Sequence, residues 1–291
     1  MKVKALAPWA GSKRNLAHEI VAEAGPHSAW WELCCGSCAV TLVKPPASME
    51  TVVDMNADLV NLALCIRSDE LCELLEDRLH RTWMTDDIFR NSAVVIRDTK
   101  FDFSSAPDWE RAYHYFVFCW MGRNGDSGTK KVGYGFCKRY TKNGGHAATR
   151  FKGVVDSLTA FNERMRNVTV LRADVFKEIP RIEDSAGVVI YVDPPYIEKG
   201  LAYVHDFTPD DHFKLAKLLS RFERTRVIVS YYDHPLLSEL YPGWTKRLFN
   251  VSKALANSGR RGQSDHRATE VLLINGPSLV QTPEPERSLF A

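Results

Sequence analysis

An aspartate, two prolines and a tyrosine stand together at residues 193–196, directly after the apolar run Val188-Val-Ile-Tyr-Val192. That run predicts a strand buried on both faces of a sheet. Two successive prolines have no amide to give a ladder and a fixed φ, so the chain must leave the sheet at Asp193 in a rigid extended turn. Tyr196 then falls just beyond the strand's carboxyl end, where open α/β sheets keep their chemistry. A carboxylate and the Pro194 carbonyl can accept the two hydrogens of a planar amino group, and an aromatic ring beside them can stack on a flat heterocycle. The turn therefore suits an amino-bearing base, although a bare Asp-Pro-Pro can equally do no more than end a strand.

Such a turn needs loops at the same sheet edge to hold a second molecule against it. Residues 8–15, Pro-Trp-Ala-Gly-Ser-Lys-Arg-Asn, place a glycine-serine turn and Lys13 ahead of a helical pattern (Leu16, Ile20, Val21), offering free amides and a cation to a carboxylate or phosphate. Ala29-Trp-Trp-Glu-Leu33 reads as a first buried strand, and the small residues at 35–39 let the backbone pass close to a ligand. A second strand, Thr51-Val-Val-Asp54, closes on an acid that could accept from two ribose hydroxyls or cap the helix through Leu59, Leu62 and Ile66. Val168–Arg172 predicts a further strand, after which Asp174 could meet the amino edge of an adenine or merely cap its turn. Thr208-Pro-Asp-Asp211 is a strong helix start, with the helix running to about Phe222. Arg226–Tyr232 is another buried strand, and Lys246–Val251 with Thr269–Asn275 reads as a closing pair.

The rhythm changes between residues 68 and 167. Leu71, Leu74, Leu75 and Leu79 recur at helical spacing with acids on the solvated side, and the aromatic stretch Tyr113–Trp120 reads as a core helix. From Arg111 to Lys152 there are nine lysines and arginines (111, 123, 130, 131, 138, 139, 142, 150, 152) against one acid, Asp126, with Tyr134, Phe136, Tyr140 and Phe151 interleaved. Flexible, basic and aromatic together suit phosphate contact and base stacking, a solvated basic face being the alternative. The loop Glu198–Phe207, with Gly200, Tyr203 and His205, reads as a cover, and the polar loop 257–267 carries Arg260, Arg261 and Arg267.

Composition sets the bounds. With 45% hydrophobic residues in 291, the chain can bury one large core or a core plus a satellite, and its net charge of +2 confines any polyanion-binding surface to a local patch. No apolar run reaches membrane-span length and Met1-Lys-Val-Lys does not open a signal peptide, so a cytoplasmic protein is expected, with no membrane partner. Seven cysteines (34, 35, 38, 65, 72, 119, 137) without a secretory signal argue for reduced thiols. Cys35-Gly-Ser-Cys38 has the spacing of a zinc half-site or redox pair, but no second pair with metal spacing accompanies it, and no metal is expected.

With these pieces in this order, the chain resembles the DNA adenine methyltransferases of the Dam type. The matching motifs are Pro-Trp-Ala-Gly-Ser-Lys (8–13), Trp-Glu-Leu-Cys-Cys-Gly-Ser-Cys (31–38), Val-Val-Asp-Met-Asn (52–56) and Asp-Pro-Pro-Tyr (193–196). The resemblance implies a Rossmann-like seven-stranded α/β sheet with one antiparallel strand, S-adenosylmethionine as cofactor and double-stranded DNA as partner. It further implies a catalytic part at 1–67 and 168–278, a mainly helical target-recognition insertion at 68–167 and a tail at 279–291; the oligomeric state is left open by the sequence, a monomer being expected. By position it assigns Trp9, Lys13, Glu32, Gly36, Asp54, Asp174 and Asp193 to the cofactor and Asp193, Pro194 and Tyr196 to the target base. Arg123, Asn124, Lys130, Lys131, Lys138, Arg139, Arg260 and Arg261 would face DNA. The loop at Cys34–Cys38 departs from the family's usual Pro-Phe-x-Gly-x-Gly, keeping Gly36, and the insertion aligns poorly beyond Arg123-Asn124-Gly125. An RNA adenine methyltransferase, a DNA cytosine amino-methyltransferase and a DNA-binding protein without catalysis remain as alternatives at this point.

Overall fold

A computed structural model describes residues 5–9, 11–102, 106–122, 135–138, 146–197, 207–252 and 267–280. Seven strands form one sheet: β1 Ala29–Leu33, β2 Met49–Asp54, β3 Val168–Arg172, β4 Val188–Val192, β5 Arg226–Tyr232, β6 Thr245–Ser252 and β7 Arg267–Ile274. Their order is β3-β2-β1-β4-β5-β7-β6. The pairs β3-β2, β2-β1, β1-β4 and β4-β5 are parallel, whereas β7 is antiparallel to both β5 and β6. The expected single antiparallel strand is thus β7. The strand order reverses between β1 and β4, so the loops after these two strands splay apart and leave a crevice at their carboxyl ends.

Alternation along the strands decides which helices go where. Leu33, Ile190, Val192, Val227, Val229, Val271 and Leu273 share one core with Val175, Leu215, Leu219 and Leu237. These last residues lie on α8 Val175–Glu178, α9 Pro209–Leu219 and α10 Leu237–Leu240. On the opposite face, Trp30, Val189, Tyr191, Ile228 and Leu272 meet Ala17 and Ile20 of α1 Ala17–Ala24. The α9 start is a complete capping box, Thr208 and Asp211 each accepting from the other's backbone amide, which fixes the helix entry as the sequence predicts.

Between β2 and β3 run α2 Ala57–Arg67, α3 Asp69–His80, α4 Asp86–Asp98, α5 Trp109–Met121, α6 Ala147–Val155 and α7 Leu158–Met165. They do not form a separate core: Phe116, Trp120, Phe151 and Phe161 pack in one cluster with Val52, Val168, Leu6 and Leu62. The aromatic stretch of α5 is core, as expected, and the Trp120 indole donates to the Leu6 carbonyl at 3.0 Å. Arg111, counted among the basic residues available to a polyanion, is instead 6% exposed and donates to both oxygens of Asp58 at 2.6 and 3.1 Å. Phe151 is likewise core, and the Phe136 ring lies 5.9 Å from that of Phe89.

Candidate active site

Asp193 caps β4 at the crevice, its amide donating to the Leu33 carbonyl at the end of β1 (3.2 Å). Its carboxylate lies 2.8 and 2.9 Å from the Lys13 ammonium through its two oxygens, and Oδ1 also accepts from the Ser230 hydroxyl at 2.8 Å. Ser230 is tied in turn to the Tyr191 hydroxyl (2.9 Å), which holds the carboxylate's orientation from β4 and β5 together. Lys13 is 4% exposed and also donates to the Gly11 carbonyl at 2.6 Å. Burial by itself would lower the lysine's pKa, but the adjacent Asp193, with Glu270 and Tyr191 beyond it, outweighs burial and carries it above its ordinary value. Burial pushes the Asp193 carboxyl up, with Lys13 and Ser230 opposing. A buried charge is retained only when paired and hydrogen-bonded, and this pair satisfies both conditions.

Tyr196 does not stand open at the crevice as the sequence leads one to expect. Its side chain is 4% exposed, edge-to-face with Tyr232 at 4.3 Å and 6.1 Å from Tyr231, and the Lys13 ammonium lies 4.9 Å over its ring. The ring belongs to the apolar cluster that Val192, Val229 and Tyr231 form, and the Lys13 ammonium, held by Asp193, lies against its π face.

The loop after β1 is clasped from two sides. The Leu6 amide donates to the Ser37 carbonyl (3.0 Å), the hydroxyls of Ser12 and Ser37 meet at 3.0 Å, and the Cys35 amide donates to the Val53 carbonyl (3.0 Å). Gly36, at φ +47°, turns the chain so closely under Trp9 that a Cβ here would lie 2.8 Å from the indole. Asp54 accepts from the amides of Gly36 and Asn56, both at 2.9 Å, while Asn56 itself caps α2. Of its two sequence readings, helix cap is therefore excluded for Asp54, whose carboxylate instead ties the end of β2 to the loop after β1. Asp174 caps α8 through the Phe176 amide at 2.9 Å. Glu32, assigned to the cofactor by resemblance, lies beneath the loop at 2% exposure and accepts from the Thr41 amide (2.7 Å) and hydroxyl; burial pushes its carboxyl up to about 7, against those hydrogen bonds. Its geometry makes it a support of the loop.

Of the residues assigned to DNA, Lys138 is exposed; Arg123, Asn124, Lys130, Lys131, Arg139, Arg260 and Arg261 lie outside the described residues, as do Gly200, Tyr203 and His205. Sequence reasoning missed Ser230 and Tyr232. The signal available for them was position alone, the polar-aromatic end of the strand that pairs with β4.

A family model described as D12 class N6 adenine-specific DNA methyltransferase matches residues 9–254. No curated protein matches the sequence. Two solved structures align with 10% identity and a TM-score of 0.37 each. One is a precorrin 8W decarboxylase, the product of gene MT0146 in Methanobacterium thermoautotrophicum, with 90% of both chains covered. The other is a SAM-dependent methyltransferase from Agrobacterium tumefaciens, covering 90% of this chain and 59% of that one.

Proposed function

We infer how this site works from the family that the chain belongs to, the D12 class N6 adenine-specific DNA methyltransferases. The enzyme transfers a methyl group from S-adenosylmethionine to the exocyclic amino group of adenine in DNA. The observation that carries the assignment of residues is the placement of Asp193–Tyr196 at the strand-order reversal, directly beside the loop that Asp54 holds.

The loop suits this cofactor: Gly36 brings its backbone so close under the Trp9 indole that a Cβ would collide, and Asp54 places a carboxylate at the end of β2, the position from which an acid takes ribose hydroxyls. Trp9, Gly36, Asp54 and Asp174 would hold the cofactor, which supplies an electrophilic methyl group on a sulfonium. Duplex adenine hides its amino group, so the base must leave the stack and enter the crevice against Tyr196. Asp193 and the Pro194 carbonyl then accept the two amino hydrogens, which favours a pyramidal nitrogen with its lone pair free of the ring. That lone pair would then be aimed at the methyl group that the sulfonium supplies, and one amino proton would leave along the hydrogen bond to Asp193. Ser230 and Tyr191 keep the carboxylate in the plane this requires. Residues 68–167, with Lys138 and its basic neighbours, are the segment that would choose the DNA site.

Replacing Asp193 alone would strand the buried Lys13 ammonium, a loss of about 3–5 kcal/mol in comparable pairs. The test therefore uses Asp193→Ala alone and together with Lys13→Met, scored by transfer of labelled methyl to unmethylated plasmid DNA. Both should lose at least about a hundredfold in turnover while the folded double variant keeps DNA affinity, which phosphate contacts elsewhere set. Turnover close to the parent in the double variant refutes the role.

A further inference from the structure

Lys13 does more than neutralise Asp193. Its ammonium donates to the Asp193 carboxylate and to a backbone carbonyl, Gly11, and its charge lies over the Tyr196 ring. The target amino group, on the reading above, needs the same kinds of partner: the same carboxylate, a backbone carbonyl, and the same ring under its heterocycle. Both cannot be served together. A base stacked on Tyr196 lies roughly 3.5 Å above the ring, within the space that Nζ fills at 4.9 Å from the centroid. Tyr231 and Tyr232, the rings beside Tyr196, belong to β5 and are fixed in the sheet, whereas Lys13 reaches in on a long side chain from a short turn at Lys13–Asn15.

We propose that Lys13 is a specificity-determining placeholder: in the free enzyme its ammonium holds the seat of the target amino group on Asp193, and only a base that brings its own N–H donors can take that seat. Asp193 is never left bare in this exchange. A base without an exocyclic amino group, or with an acceptor in its place, would expel the ammonium and leave a desolvated carboxylate unpaired, an unfavourable trade. The selection works by penalising the wrong base. The inference rests on the methyl-transfer reading of the site, which it deepens.

The experiment follows the Lys13 ammonium directly. The full-length enzyme, labelled with 15N in its lysine side chains and saturated with sinefungin to fill the cofactor site, is titrated with 2′-deoxyadenosine or with purine deoxyriboside, which lacks the amino group. The Lys13 resonance is identified by its loss in Lys13→Met. It should move with deoxyadenosine and stay with purine deoxyriboside, and the wild type should bind the first about tenfold more tightly, a preference that falls in Lys13→Met. A resonance that stays in place at saturating deoxyadenosine, or moves alike with both nucleosides, overturns the proposal, as does an undiminished preference in a folded Lys13→Met. If Lys13→Met does not fold, the wild-type titration still decides, with Lys13→Arg identifying the resonance. This readout needs no turnover, so a wild type that fails to methylate DNA overturns the reading of the site while the resonance decides the placeholder.

Discussion

Glu32 shows how much a single buried group can set. Its carboxylate is sealed beneath the loop after β1, where the Thr41 amide and hydroxyl are its donors, and burial lifts its pKa from 4.5 to about 7. The folded state therefore keeps a proton that the unfolded chain has already released, and the sign of the effect on stability follows. Below pH 4.5 both states are protonated and the full contribution is present; it is lost as pH rises to about 7 and is gone above that. At pH 8 the ionised carboxylate costs about 3 kcal/mol relative to acid, as an upper bound. Glu32→Gln keeps an acceptor for Thr41 without the charge, so urea midpoints of the variant should match the parent near pH 5 and exceed it at pH 8. A variant less stable than the parent at pH 8 would mean that the charge itself holds the loop. His212 works from the other side: burial lowers it to about 4, so stability through this group falls as pH drops from 6.5 toward 4.

At the scale of elements, the loop after β1 carries the positive-φ non-glycine residues found among the described residues. Cys34 at φ +54° and Cys38 at φ +53° join Gly36 at φ +47°, so the turn enters the left-handed region at 3 of 5 consecutive positions. Cysteine tolerates this at about 1–2 kcal/mol each; at Gly36 a side chain would also collide with Trp9. Gly36→Ala should weaken S-adenosylmethionine binding about tenfold or more in calorimetric titration and leave DNA affinity unchanged. Equal cofactor affinity would remove this loop from the site. The strands were legible in the sequence because the apolar runs that end in Asp54 and Asp193 combine local propensity with a fixed position at the sheet edge. The partner of Lys13 was not legible: it lies 180 residues away, and a lysine before a helix reads as a ligand for any anion. Periodicity likewise marked α3 and α5 as helices but could not say that their apolar faces share a core with Val52 and Leu62, because a hydrophobic stripe does not name what covers it.

For the molecule as a whole, charge is the property that separates binding from chemistry. A net charge of +2 spread evenly would hold no polyanion, and the structure shortens the basic stretch further by committing Arg111 to Asp58 and Lys152 to an exposed pair with Asp156. If the proposed DNA surface is right, affinity should rest on the lysines and arginines that remain between α5 and α6, Lys130, Lys131, Lys138 and Arg139 among them. Every phosphate that the protein ceases to neutralise should flatten the slope of log affinity against log salt by about 0.9. Changing all four to alanine is therefore expected to reduce that slope by about 3 to 4 and to weaken binding most at low salt. S-adenosylmethionine binding, which the proposal assigns to the loops after β1 and β2, should be unchanged. Methyl transfer should recover when DNA is supplied at saturating concentration, since the variant lacks only the means to hold the duplex while Asp193 is intact. A slope that stays at the parent value would place the DNA surface elsewhere, and the loop carrying Arg260 and Arg261 would be next to neutralise.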